Sequence, residues 1–240
     1  PVAELISIVH SGGVGQVQQV SIREHREPFY PKVGNWNRFT SKTGGTLVEK
    51  CCHYFNLMDH IAKERPNRVF ASGGQRVNYL DESYDGVKAD MLDSAYVILE
   101  YPSGKRAMLD LCMFAENTVD KEHISVTGSE GKVESFLPSL ELRYGKRSAV
   151  GNFKQWSHDA SKPKVESRKV WDESIKYNGF HYGASYLEHL KFFNAIKSGK
   201  GPDVSLEDGL RSVASGLAAQ LSIAQGRPVA MSEVLPAGWN

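Results

Sequence analysis

Apolar positions recur at helical spacing in four stretches of the chain and alternate with polar ones in several others. Val2, Leu5, Ile6 and Val9 predict a short helix that stops at Gly12-Gly13-Val14-Gly15. From Thr46 to Ile61, after the paired Gly44-Gly45, no Gly or Pro intervenes, and Leu47, Val48, Cys51, Cys52, Phe55, Met58 and Ile61 give one broad apolar helical face. Leu187, Leu190, Phe193 and Ile196 predict a buried stripe on a helix over 184–197, broken by Gly199-Lys200-Gly201-Pro202. A last helix begins on Ser205, with Asp208 three residues on, and stops at Gly226. Its stripe is Leu206, Leu210, Val213, Leu217, Leu221 and Ala224.

Between the helices the period falls to two. Residues 16–26 read as a strand with Val20 and Ile22 on one face and Ser21, Arg23 and His25 on the other. Residues 68–77 read as a strand broken at Gly73-Gly74, and 81–93 as a polar loop. Strands at 95–101 and 106–114 flank the turn Pro102-Ser103-Gly104-Lys105, and strands at 124–127 and 132–136 flank Gly128-Ser129-Glu130-Gly131. A strand at 140–144, a loop at 151–164 and an edge strand at 165–171 follow. Short turns between strands imply antiparallel pairing, because a parallel pair needs a long crossover. The expected class is α+β: a mostly antiparallel, open-faced sheet with helices on one face.

At 240 residues the chain buries a sizeable core, and it reads as a single domain over 1–240. Its 29 basic and 28 acidic side chains nearly cancel, which removes the electrostatic case for nucleic acid or a membrane surface. No apolar run approaches the roughly 20 residues that span a bilayer. Three cysteines, two adjacent, make no disulfide framework, so a reducing, cytoplasmic setting is expected. The chain opens on Pro1 and not on Met, and is expected to be part of a longer protein.

On the helix from Thr46, the residues Glu49, His53, Asn56 and His60 fall on one polar stripe. An ordinary wet face accounts for such a stripe, but Lys, Glu and Arg would be its usual residues. A carboxylate, two imidazoles and an amide suit the holding and protonation of a small polar molecule. Cys51, Cys52 and His53 are three donors in a row, but neighbours on a helix diverge and do not close a tetrahedral metal site. No metal is expected.

The run Gly44-Gly45, then Glu49, His53 and Asn56, is similar to a signature of the Gfo/Idh/MocA family, Gly-Gly-x-x-x-Asp-x-Gly-x-His-x-x-Asp. Here Glu49 stands where Asp is usual, Cys51 where Gly is usual and Asn56 where the second Asp often sits; His53 matches. Gly34-Asn35-Trp36-Asn37-Arg38-Phe39 resembles the loop that enters this helix in one branch of the family. The run from His181-Tyr182-Gly183 through Phe192-Phe193-Asn194-Ala195-Ile196 to Gly226 resembles its closing helices.

The resemblance implies the substrate and oligomerisation portion of an NAD or NADP-dependent oxidoreductase acting on sugars, cyclitols or related polyols. His53 is then the proton acceptor, with an ordinary pKa near 6.5. Glu49 orients it or binds a substrate hydroxyl, and Asn56 binds another. The family places the residues after the first strand beside the substrate, here Glu24, His25 and Arg26, with the loop 28–42. Trp36 and Arg38 stack on and bond the substrate, or Trp36 anchors the loop to the core. His181 and Tyr182 complete the pocket, or cap a loop onto the sheet. Lys50 reads as a surface charge or one behind the site. Glu49, His53 and Asn56 are expected to share one concave pocket with the Trp36–Arg38 loop.

The open sheet face is expected to pack against a second copy, giving a homodimer or homotetramer. The cofactor's glycine loop and the family's Glu-Lys-Pro motif are not found in these residues. Gly12-Gly13-Val14-Gly15 lacks a preceding strand and the third glycine. The cofactor-binding residues are therefore expected in a dinucleotide-binding domain outside this chain, with residues 1–14 near the junction. A non-catalytic ligand-binding or dimerisation module of the same fold is the alternative, and the changes at Glu49 and Asn56 are what it would predict.

Overall fold

Strand alternation sets the frame of the molecule. The computed structural model describes residues 1–150, 164–179 and 181–239; all of the loop expected at 151–164 except Lys164 lies outside them. α1 (Val2–His10) leads into β1 (Val17–His25), a 3-10 turn (Val33–Arg38), α2 (Thr40–Thr43), α3 (Thr46–Glu49) and α4 (Cys52–Ala62). Next come β2 (Arg68–Gly74), a small hairpin of β3 (Ser83–Tyr84) and β4 (Val87–Lys88), then β5 (Ser94–Glu100) and β6 (Arg106–Cys112). β7 (Glu122–Gly128), β8 (Gly131–Leu137), β9 (Glu141–Lys146) and β10 (Val165–Lys169) follow. The described chain closes with α5 (Ala184–Ser198), α6 (Leu206–Gln225) and β11 (Val229–Ala230).

Nine strands form one sheet in the order β10-β9-β8-β7-β1-β6-β5-β2-β11. Its pairs are antiparallel except β1 with β6, which run parallel and are joined through a long crossover. One face is dry: Val20 and Ile22 of β1, Val97 and Leu99 of β5, and Leu109 and Leu111 of β6 are buried with Phe55, Met58 and Ile61 of α4. The other face carries Ser21, Arg23 and His25, then Tyr96, Ile98 and Met108, so the alternation in the sequence is the alternation in the fold.

Three expectations about the elements change. Gly73 and Gly74 do not break β2; they pair with Ala95 and Ser94, and a Cβ on Gly73 would lie 2.6 Å from the Ser94 carbonyl oxygen. The helix after Gly45 is not continuous, since α3 ends at Glu49 and α4 begins at Cys52.

The third change concerns the closing helices. The buried face of α6 is Ser212, Ala214, Ser215, Gly216, Ala218, Ala219 and Ser222, while Leu206, Val213 and Leu217 are exposed. Small side chains allow a closer approach than leucines would. A Cβ on Gly216 would meet the Leu47 carbonyl oxygen at 2.5 Å, so α6 lies directly on α3. Ser205 and Asp208 form the expected capping box. The expected buried stripe of α5 is not buried either: Leu190, Phe193 and Ile196 are exposed, and no residue of α5 is buried.

Candidate active site

The break between α3 and α4 shapes the site. Lys50 (φ −99°, ψ −37°) and Cys51 (φ −99°, ψ −6°) leave regular helix geometry, and the Tyr54 amide closes a tight bond to the Cys51 carbonyl at 2.9 Å. Glu49 therefore ends one helix and His53 stands in the first turn of the next. At the break Lys50 turns inward, its Nζ 3.0 Å from Oε1 of Glu24 near the end of β1.

His53 has solvent on one side and a crowded wall on the other. Its ring packs against Tyr54 with centroids 4.2 Å apart and planes 52° apart. It is exposed by surface area, yet the surrounding protein lowers its pKa from 6.5 to about 4, with Lys50, His181 and Arg26 adding positive charge nearby. Burial is the larger cause, and the Lys50 and Arg26 charges add to it; the open edge leaves the ring accessible. The imidazole is therefore neutral near pH 7, its protonation midpoint lying well below that of an unperturbed histidine.

The other sequence-predicted residues divide. His181 is brought beside His53 and bonds Ser185 Oγ through Nδ1 at 3.0 Å. Tyr182 follows it, exposed and at φ 51°. Asn56 and His60 line a depression of about 490 Å3 with His10, Asp59, Lys63 and Arg65. Glu49, His53, Trp36 and Arg38 are not among the residues lining that depression, so the expected common pocket is not what the structure forms there.

His25 lies on the opposite side of the sheet, its Nε2 3.0 Å from Asp110 Oδ1, because β1 alternates and Glu24 takes the inward position. Arg38 is buried: its Nε donates to Glu82 Oε2 at 2.6 Å and its guanidinium covers the Tyr79 ring at 4.0 Å. That guanidinium holds the 79–82 segment. Trp36 is exposed on the 3-10 turn.

Glu24 was expected only as a residue beside the substrate, and Glu122, Tyr54 and Asp59 carried no expectation. Glu24 and Glu122 are directly opposed across β1 and β7, and burial followed by the Glu24 charge raises the Glu122 pKa. Tyr54 lies near both, its phenol held neutral by burial and then by those carboxylates. The Tyr54 hydroxyl and Glu24 Oε2 have no hydrogen-bond partner among the described residues. Farther along α4, buried Asp59 accepts from the Tyr101 hydroxyl at 3.0 Å and lies 3.6 Å from Arg65; burial raises its pKa to about 7. Glu24 was legible in principle, since it sits two residues beyond Ile22 on the inward face.

No phosphate cradle is formed by the glycines after α1. Gly15 packs on Ser129 and Glu130, and the Gly13 carbonyl accepts from the Tyr144 hydroxyl, so this turn is filled by the β7–β8 hairpin and β9. These residues do not fit a dinucleotide pyrophosphate. No helix among the described residues is long and apolar enough to cross a membrane.

Residues 6–231 match the family model described as "Oxidoreductase family, C-terminal alpha/beta domain". The chain is 29% identical over 236 residues to the myo-inositol 2-dehydrogenase of Thermotoga maritima, covering 97% of this chain and 61% of that protein. It is 27% identical over 228 residues to the inositol 2-dehydrogenase of Rhizobium meliloti, covering 93% of this chain and 59% of that protein. The crystal structure of a probable dehydrogenase from Thermotoga maritima superposes with a TM-score of 0.66 at 25% identity, covering 98% of this chain and 62% of that one. The chain thus spans about three fifths of the length of these relatives.

Proposed function

Because the chain belongs to the Gfo/Idh/MocA oxidoreductase family by a match over residues 6–231, we propose that it is the substrate-binding and oligomerisation portion of an NAD(P)-dependent oxidoreductase. The reaction moves a hydride to or from a sugar, cyclitol or related polyol; two relatives are named as inositol 2-dehydrogenases. The observation that carries this reading is the neutral, accessible imidazole of His53 beside Lys50, Arg26 and His181, with Glu49 ending the helix before it. The cofactor supplies hydride acceptance or donation when bound. His53 takes the hydroxyl proton, Glu49 binds or orients at the same edge, and Asn56 marks where the site continues along α4.

The cofactor is held by a dinucleotide-binding domain outside these residues, and the uncovered apolar side chains of α5 and α6 support a further packed body on that side. The protein with that domain is expected to reduce NAD or NADP with myo-inositol, while the 240 residues alone bind neither cofactor tightly. Steady-state absorbance of the reduced nicotinamide and calorimetry on the isolated chain check the two halves. Absence of turnover with any cyclitol or sugar would favour a non-catalytic module, and micromolar cofactor binding by the chain alone would relocate the cofactor site. Three free cysteines agree with a cytoplasmic setting.

The open sheet face supports homo-oligomerisation. Tyr96 is 62% exposed and Phe70 41% exposed on adjacent strands, with Ile98 and Met108 beside them, an apolar patch on an otherwise wet face. A dimer or tetramer is expected, with an interface above about 1,000 Å2. Light scattering on Tyr96→Asp/Ile98→Asp should show dissociation; an unchanged assembly would place the interface elsewhere.

A further inference from the structure

The far end of α4 holds a carboxylate that the fold leaves half satisfied. Asp59 is 3% exposed. Its Oδ1 accepts from the Tyr101 hydroxyl at 3.0 Å, which fixes the plane of the group. Oδ2 faces Arg65 and has no hydrogen-bond partner among the described residues. Arg65 Nη1 stands 3.6 Å from it, beyond hydrogen-bond length, and the other arm of that guanidinium is held by Asp208 in the cap of α6. A buried oxygen in this state carries a desolvation cost that a bound donor would recover.

Asp59 and Arg65 both line the depression of about 490 Å3 that Asn56 and His60 share, a size within the range of small-molecule sites. Asn56 forms the wall one turn from His53, and His53 itself is not part of the lining. The three other carboxylates on the wall are taken: Asp208 by Arg65, Asp203 by Lys191 and Glu64 by Lys105. No set of free carboxylates remains there for a cation. α1 ends at His10 and α4 at Ala62, so two helix carboxyl ends with partial negative charge border the depression and disfavour an anion. A hydroxyl suits Asp59 in either state, because it donates to a carboxylate and accepts from a carboxylic acid. Burial raises the pKa of this group to about 7, so both states are populated near neutral pH.

We propose that the Asp59 depression is a second binding site, for a small neutral polyhydroxylated molecule. One hydroxyl bonds Asp59 Oδ2, and others reach the Asn56 amide and the Lys63 ammonium on the same wall. Arg65, 42% exposed, roofs the oxygen and swings aside to admit the ligand. The site does not depend on the role of His53; only the use of myo-inositol as its probe rests on the oxidoreductase reading.

Backbone amide signals followed by NMR, while myo-inositol is titrated into the chain, should shift at His60, Lys63 and Val204. Asp59→Leu, close in size and without either oxygen, should weaken this binding about 10-fold or more, the scale for a hydrogen bond to a charged group. Should Asp59→Leu not fold, Val204→Trp fills the depression from an exposed position and should abolish the same shifts. Shifts confined to residues 50–54, no shifts at all, or undiminished affinity in a folded Asp59→Leu variant overturn the proposal. So do shifts with inorganic phosphate and none with myo-inositol, which would make this an anion site. A protein with its dinucleotide-binding domain that turns over no polyol would count against the oxidoreductase reading, while shifts at these three residues would keep the second site.

Discussion

His53→Ala, made in the protein with its dinucleotide-binding domain, is expected to lower turnover by about 100-fold or more and leave cofactor affinity nearly unchanged. A proton acceptor must begin neutral, and burial with the Lys50 and Arg26 charges nearby keeps this imidazole neutral down to about pH 4. Its exposed edge leaves room for a substrate hydroxyl. The same lowered pKa weakens the imidazole as a base, so the reaction depends on orientation as much as on proton affinity. Turnover should accordingly persist through pH 6 and be lost as pH falls through about 4, where His53 gains its proton. Steady-state kinetics across pH and calorimetric cofactor binding check both parts. Wild-type turnover in His53→Ala would leave this residue a structural role.

Phe55→Ala is expected to cost about 3–5 kcal/mol of stability, the usual range for emptying a buried aromatic site. Phe55 is fully buried on the inward side of α4, in the same cluster as Leu47, Met58 and Ile61 and the strands beneath. Its ring anchors the helix whose first turn presents His53, so the loss joins stability to function. For a chain of this size, a change of that order corresponds to a melting point lower by roughly 10 °C. Denaturant unfolding monitored by circular dichroism measures it. A loss below 1 kcal/mol would mean that neighbouring side chains collapse into the space.

Much of the fold was legible because local periodicity and global burial agree in the sheet. Val20 and Ile22 alternate with Ser21 and Arg23 in the sequence, and the two sets face opposite sides of β1. Ser205 and Asp208 cap α6 because a hydroxyl and a carboxylate at that spacing satisfy free amides wherever the helix packs. The family motif placed His53 on a helix with no tertiary information, and the match over residues 6–231 bears out the family.

Periodicity misled where it could not say what a face would meet. The leucines of α6 keep perfect helical spacing, yet its small residues face α3, because close approach there needs room and not apolar area. Arg38 looked like a ligand for substrate until the 79–82 segment covered it. His25 and Glu24 are neighbours in sequence but lie on opposite sides of a sheet, so only the strand's phase sends one to Asp110 and the other to Lys50.

By itself, the amino-acid sequence determined the strands, the capped helix and the imidazole on a helical polar stripe, all of which follow from interactions within a few residues. The tertiary structure decided which side of each element is covered, where the helix breaks, and that Lys50 turns inward to Glu24, two residues 26 positions apart in the chain. Charge and burial at His53 depend on such distant partners: β1, the α3–α4 break and the turn before α5 meet there only when the chain is folded.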